Sequence, residues 1–383
     1  MKSAIAVVLL TLSPLCVRIA QADSFGSDDN AIEIEFVTIG NAGNFADTTG
    51  FPNSAGSVDY VFRIGKYEIS EDIINKANGF GGLGITHDNR GAGKPATSVS
   101  WFEAAQFVNW LNTSSGSPPA YKFGAEGSFQ LWQLGDDGYD PNNLYRNSLA
   151  RYFLPGTHEW YKAAYYDPTA GVYYDYPTGS NSQPDGLQDE EDPVFDAVFF
   201  DGDHNSEPND ATNVGIPSPY GTRGQGGNIA EWIESAESLD NGQPPIGRHV
   251  RGGQWDDTHV SLRSNIVGGG NASTGHSFVG FRVASQVISF LPGDYNRDGT
   301  VNTADYDEWK EAFGNPVAEA GLGADGNVNG IVDAADYTVW RDHLAGMIRP
   351  GRSAGVPVPE PATPLMALIA AVCPLLPQRS RRT

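Results

Sequence analysis

The chain has two cysteines, and both sit near its ends: Cys16 close to the start and Cys373 close to the finish. Everything between them must fold without a disulfide staple, a thiolate metal site or a cysteine nucleophile. Stability therefore has to come from buried apolar side chains. With 383 residues and 39% hydrophobic content, the chain can supply a core for one large domain and a small one. Trp101, Trp110, Trp132, Trp160, Trp232 and Trp255 are spread over residues 31–286, so one core is expected to span that stretch. The 46 glycines and 25 prolines favour turns and irregular connections over long helices. The expected fold class is α+β. The formal net charge of −23 repels phosphate backbones and anionic lipid heads, so nucleic acid is not an expected partner. The same charge suits cations, calcium above all.

Residues 1–22 read as a secretory signal peptide. Lys2 supplies the positive start, and the apolar run Ala4 to Leu15 is too short to span a membrane comfortably. Ala20-Gln21-Ala22 fits a small-x-small cleavage site, with Asp23 as the mature start. At the other end, residues 346–357 read as a linker rich in Pro, Gly and Ser. Residues 358–383 begin Val358-Pro359-Glu360-Pro361-Ala362-Thr363, continue through the apolar run Pro364 to Pro377, and close with Arg379, Arg381 and Arg382. This tail resembles the PEP-CTERM sorting signal of bacteria, which an exosortase cleaves near Pro-Glu-Pro. The resemblance implies export to the cell surface, outer envelope or extracellular matrix, with transient membrane association through the tail. The physics agrees, because the run is short, carries three prolines, and ends in arginines that hold the cytoplasmic face.

Two segments of the large domain have helical spacing. Ser100 to Leu111 places Phe102, Ala105, Val108 and Leu111 on one stripe, with Ser100 and Glu103 as a capping box. A second helix opens at Thr157, its candidate cap, and runs through Ala164. Arg251 and Arg282 are expected to be buried and to pair with Glu159 or Glu231. The acidic stretch Asp185 to Asp210 reads as a surface insertion.

Residues 293–345 hold an internal repeat. In the first copy, Asp294, Asn296, Asp298, Asn302 and Asp305 place side-chain oxygens at loop positions 1, 3, 5, 9 and 12, with Gly299 at position 6 and the Thr300 carbonyl at position 7. The second copy repeats these positions with Asp325, Asn327, Asn329, Asp333 and Asp336, with Gly330 at the turn and the Ile331 carbonyl at position 7. Alternate residues of a looping chain converge on one point, and calcium takes roughly six to eight oxygens. These are EF-hand-type loops. Asn327 and Asn329 replace acids, so the second loop should bind more weakly. Each loop runs into a short helix, and the unit resembles a type I dockerin. That resemblance implies a small α-helical module that folds around calcium and docks onto a cohesin-like protein. A calcium-stiffened spacer is equally compatible with the residues.

Five segments of the large domain resemble the sulfatase-modifying factor family, whose founding member is the formylglycine-generating enzyme. They are Ser98-Val99-Ser100-Trp101; Arg151 to Trp160; Ser218-Pro219-Tyr220-Gly221 followed by Gly226-Gly227-Asn228-Ile229-Ala230-Glu231-Trp232; Arg251-Gly252-Gly253-Gln254-Trp255; and Gly280-Phe281-Arg282-Val283-Ala284. The resemblance implies an irregular α+β domain related to C-type lectins. Read from the residues alone, the segments are structural: Gly226 and Gly227 permit a tight turn, and Trp232 and Trp255 belong to the core. The family enzyme holds copper(I) with two cysteines. The corresponding positions here are Asp257 and Leu262, so copper and formylglycine-generating oxidase activity are not expected. His249 and His259 are candidate substitutes for a non-cysteine metal site. The family also binds calcium near Gly227, Ile229 and Glu231, but Gly224 stands where a further ligand is usual, which leaves this third site incomplete. The expected function is an exported, surface-sorted, non-catalytic domain for binding or matrix assembly, joined to a calcium-dependent docking module. The alternative is a divergent family enzyme that carries out oxidative modification at a non-cysteine site.

Overall fold

Ile32, Ile34, Phe36 and Ile39 are buried while Glu33 and Thr38 face solvent, a near period-two pattern that builds the strand β2 (Ile32–Ile39). In this computed structural model the described residues are 21–27, 30–187, 194–201, 206–236, 246–287, 292–296, 301–317, 323–327 and 329–344. The expected leader through residue 20, the linker and the sorting tail lie outside them. The chain divides into two units, residues 1–289 and 290–383.

In the large unit, β1 (Gln21–Phe25) pairs antiparallel with β2, and β2 pairs with β3 (Phe62–Gly65). The sheet thus begins ahead of residue 31, where the sequence alone placed the domain start. Asp23 explains why. Its buried carboxylate takes both terminal Arg63 guanidinium nitrogens at 2.9 and 2.6 Å, the Arg151 guanidinium at 3.1 Å and the Tyr152 hydroxyl at 2.6 Å.

Two helices follow. α1 (Glu71–Gly81) is capped by Ser70, and α2 (Trp101–Ser114) is capped by the expected Ser100–Glu103 box. The buried face of α2 is wider than a stripe. Trp101, Ala104 and Phe107 are buried as well, and Phe102 only partly. Next come the hairpin β4 (Lys122–Phe123) and β5 (Phe129–Gln130), then β6 (Tyr152–Phe153) and α3 (Thr157–Tyr165). Gly156, not Thr157, is the cap of α3, and Glu159 accepts its N–H at 2.6 Å. A second hairpin joins β7 (Tyr166–Asp167) and β8 (Val172–Tyr173).

A four-stranded sheet follows, with β9 (Ala230–Ala236), β10 (Gly247–Arg251), β11 (Gly268–Asn271) and β12 (Val279–Phe281) in the order β11-β10-β9-β12. Only β12 runs parallel to its neighbour, β9. The last strand, β13 (Ala284–Gln286), returns to the first sheet and lies between β3 and β6. Trp101, Trp160 and Trp232 are fully buried, each contributing roughly 3 kcal/mol of apolar transfer.

The stretch Asp185 to Asp210 is not purely a surface insertion. Within it, Leu187 and Val198 pack on Val214, Ile229 and Trp255, and Val198 bridges Gly227.

In the small unit, α4 (Thr303–Ala312) and α5 (Ala334–His343) start at Asn302 and Asp333, each of which caps its helix. Tyr295, Val301, Ala324, Val332 and Trp340 form the core. Among the described residues no helix is long and apolar enough to cross a membrane.

Candidate metal-binding sites

Strand β10 ends in Arg251, and Gly252 and Gly253 take positive φ of 102° and 74° to turn the chain back beneath Asn228. That turn is locked where the Trp255 N–H donates to the Asn228 carbonyl at 3.0 Å. The next residues include the two positions at which the family resemblance expects cysteines. Asp257 is half-buried and accepts the Gln254 N–H at 3.2 Å, and burial raises its carboxyl above the usual range. Leu262 ends a 3-10 turn over His259–Leu262, is fully buried, and packs on Tyr176, Ala197 and Phe199.

The proposed histidine substitutes do not assemble. The His259 ring nitrogen Nδ1 pairs with the Tyr176 hydroxyl at 2.9 Å, and His249 lies on β10 opposite Gly269. Among the described residues, no three His, Cys, Asp or Glu side chains converge on a metal-sized point. A cavity beside Thr222, Gly224 and Gly226 measures about 10 Å³, room for one water.

Of the third calcium set, the Glu231 carboxylate is taken up internally. Glu231 is fully buried and bound by Arg282 through Nε at 2.7 Å and a terminal nitrogen at 2.5 Å, and Trp160 Nε1 donates to it at 2.7 Å. The guanidinium supplies the positive charge a cation would bring, so Glu231 is not an open ligand. The place of a side chain at Gly224 is partly filled by Glu68, whose carboxyl carbon lies 3.2 Å from where a Cβ would stand. Burial, with Glu231 nearby, pushes the Glu68 carboxyl well up. Sequence reasoning missed Glu68 because nothing local to Tyr67-Glu68-Ile69 shows that the chain folds it against residue 224.

Of the two expected arginine pairings, Arg282 with Glu231 is present. Arg251 instead donates to the carbonyls of Ser264, Ile266 and Phe51. Glu159 belongs to Arg146.

In the C-terminal unit, Asp305 at position 12 is fully buried and accepts three backbone N–H groups: Tyr295 at 2.7 Å, Asn296 at 3.0 Å and Asn302 at 2.7 Å. Asp336 does the same job in the second loop, taking Asn327 at 2.9 Å and Asp333 at 2.7 Å. Asp325 accepts from Asn329 and Gly330. Asn327, Asn329 and Asp333 each accept the N–H two residues on, at 3.0, 2.9 and 2.7 Å, which bends the loop at each of them. Asp298 and Thr300 lie outside the described residues. The three carboxylates of the second loop, Asp325, Asp333 and Asp336, stop short of a closed cluster. The donor chemistry fits calcium nonetheless. Asp305 and Asp336 are fully buried, and among the described residues neither has a Lys or Arg partner. A buried carboxylate is costly unless a cation or strong donors compensate it.

The loops are also tied to each other, which the repeat alone did not reveal. Trp309 Nε1, on the helix after the first loop, donates to the Asp333 carbonyl of the second at 2.9 Å. Trp340 Nε1 returns the contact to the Asn302 carbonyl at 2.6 Å. Both acceptors occupy position 9 of their loops. Tyr295 adds a third tie, donating its hydroxyl proton to the Asp336 carbonyl at 2.6 Å.

Residues 26–287 match the family of sulfatase-modifying factor enzyme 1-like domains. No curated protein matches the chain. Solved structures similar to it include variable protein 1 of Treponema denticola, at 18% identity over 70% of this chain and 99% of that one, with a TM-score of 0.49. CarF is 18% identical over 66% of this chain and 98% of its own, with a TM-score of 0.48. PvdO of Pseudomonas aeruginosa is 15% identical over 69% and 98%, with a TM-score of 0.43.

Proposed function

Since this chain belongs to the sulfatase-modifying factor enzyme 1-like family, we propose that its large unit is a binding or matrix-assembly domain built on the family fold, not a formylglycine-generating oxidase. The observation that carries this reading is the pair of side chains at the thiol positions. Leu262 is a buried hydrocarbon in an apolar cluster, and Asp257 is a half-buried carboxylate held by the Gln254 backbone. Neither can bind a soft copper(I) ion as a thiolate does. The surrounding glycine turn and the Glu231–Arg282 pair support the fold without taking part in chemistry.

The C-terminal unit, on this reading, is a calcium-dependent docking module of dockerin type. Asp294, Asn296, Asp298, Asn302 and Asp305 would hold one ion with the Thr300 carbonyl, and Asp325, Asn327, Asn329, Asp333 and Asp336 another with the Ile331 carbonyl. Calcium would add a positive charge beside the buried Asp305 and Asp336 carboxylates, whose partners among the described residues are backbone N–H groups. A cohesin-like protein is its proposed partner. Export through the leader, trimming by an exosortase and residence at the cell surface or in the extracellular matrix follow from the terminal segments. The transient membrane contact would be made by the tail.

The test is elemental analysis of the purified chain with oxygen uptake on cysteine-containing peptides, followed by circular dichroism with and without a calcium chelator. Calcium without copper, no uptake, and a chelator-sensitive C-terminal unit are expected. Stoichiometric copper with turnover would establish the oxidative alternative, and indifference to chelation would remove the docking module.

A further inference from the structure

Away from the thiol positions, the large unit contains a cavity of about 380 Å³. It lies where α3 begins and β9 ends, and the loops before β3 and β6 close it. That volume is within the range of small-molecule sites, roughly 300–1,000 Å³. Its floor is one guanidinium between two fully buried carboxylates. Arg146 reaches Glu159 at 3.1 and 3.0 Å, and reaches Glu234 at 2.9 Å through Nε and again at 2.9 Å through a terminal nitrogen. The remaining positions around the carboxylates are filled. Tyr60 donates to Glu159, as does the Gly156 N–H, while Tyr121 and Asn143 donate to Glu234. Each of the four carboxylate oxygens therefore holds two donors. The floor is a fixed plate with one more negative charge than positive.

The rim adds to that sign. Asp59 is exposed at the mouth, and Tyr60, 46% exposed, presents an aromatic ring. Among the described residues the charged lining is thus Asp59, Glu159 and Glu234 against Arg146, with His158 beside them held toward its neutral form by burial. Arg248, stacked on Tyr145, stands behind the wall and does not line the cavity. Burial and the adjacent Glu159 both push the Tyr60 phenol far above its ordinary range, as an electronegative setting should.

These features discriminate among ligands. A bare metal ion needs open oxygen ligands at close range, and the floor oxygens are spoken for. An anion meets a net negative lining. An organic cation needs only the field, one acceptor such as Asp59 and an aromatic face, all of which are present. We propose that this cavity is a binding site for an alkylammonium or guanidinium group, either on a free amine or on the basic side chain of a peptide. The proposal rests on reading the large unit as a binder and gives that binder a ligand class.

The full chain, with calcium, is titrated by calorimetry with spermidine, arginine amide and a Lys/Arg-containing peptide, with glucose and acetate as the neutral and anionic probes. Expected is saturable binding of the cations, weakened by salt. Asp59→Lys should lower affinity roughly tenfold by reversing a charge at the mouth, while Glu126→Lys, at an exposed hairpin position, should not. Binding of the free amines assigns the site to small molecules, and binding of the peptide alone assigns it to a basic partner. Cation binding that is equal in wild type and Asp59→Lys overturns the proposal, as does no binding of any cation. Glucose binding in place of the cations would overturn it while leaving the large unit a binder.

Discussion

If the C-terminal loops bind calcium as proposed, replacing Trp309 by Phe should weaken the loop to which Trp309 does not belong. The indole is half-buried among Tyr306, Phe313 and Tyr337, and Phe preserves most of that ring packing. What is lost is one N–H, the donor to the Asp333 carbonyl at position 9 of the second loop. A hydrogen bond of this kind contributes about 0.5–1.5 kcal/mol net. Since 1.4 kcal/mol is about tenfold in an equilibrium constant, the second loop should lose roughly three- to tenfold in calcium affinity. The loops are separated by measuring in two backgrounds, Asp294→Asn to disable the first and Asp325→Asn to disable the second. Calcium titration by calorimetry, with terbium luminescence as a second readout, should show the Trp309→Phe effect in the Asp294→Asn background and little effect in the other. A loss confined to the first loop would refute the reciprocal tie, because it would mean that the tryptophan acts only through its own helix.

Gly227→Ala should cost at least about 3 kcal/mol, since a Cβ would stand 2.0 Å from the Val198 carbonyl oxygen at a φ of +77°. Differential scanning calorimetry of the large transition should show a fall of roughly 6–12 °C, and an unchanged midpoint would contradict the geometry. Glu231→Gln leaves the wholly buried Arg282 without its counter-charge and should cost about 3–5 kcal/mol by urea unfolding; a loss under about 1 kcal/mol would show that the pair carries little. Asp23 offers a pH test. Burial works to raise its carboxyl, but Arg63, Tyr152 and Arg151 together outweigh burial and hold it below the ordinary value of 3.8. A depressed folded-state value means that the stabilisation is fully present above about pH 4 and is lost as pH falls through the folded-state value. In an acid titration followed by circular dichroism, Asp23→Asn should therefore be less stable than wild type at neutral pH and converge on it as the pH falls through the depressed folded-state value. A constant difference would dismiss the ion pair as the cause.

What could be read from the residues in advance was local or repeated. Ser100 and Glu103 are three apart and cap their helix by themselves. The duplicated loop residues place α4 and α5 without knowledge of the rest. Helix α1 escaped notice because Asn78, Gly79, Phe80 and Gly81 dilute its apolar period, and its cap, Ser70, looks like many other serines. The floor of the cavity was invisible for a different reason. Arg146 meets Glu234 across 88 residues, and nothing near either one announces the other. The same holds for the thiol positions: Asp257 and Leu262 could be matched to the family cysteines, but only the fold shows Leu262 sealed against Tyr176 and Phe199 and His259 paired with the Tyr176 hydroxyl. A carboxylate partner is the natural expectation for Arg251, because buried guanidinium groups usually have one. Here three backbone carbonyls meet its donors, an arrangement that depends on how the loop at Phe51 returns.

Placing β13 between β3 and β6 has a consequence for the order of events during synthesis. The first sheet cannot be completed until Ala284–Gln286 is available, although its opening strands are made more than two hundred residues earlier. Long-range pairings of this kind form slowly. A chain still emerging from the ribosome lacks the strand that pairs with both β3 and β6. The first sheet of the large unit would thus close only after its last strand has arrived.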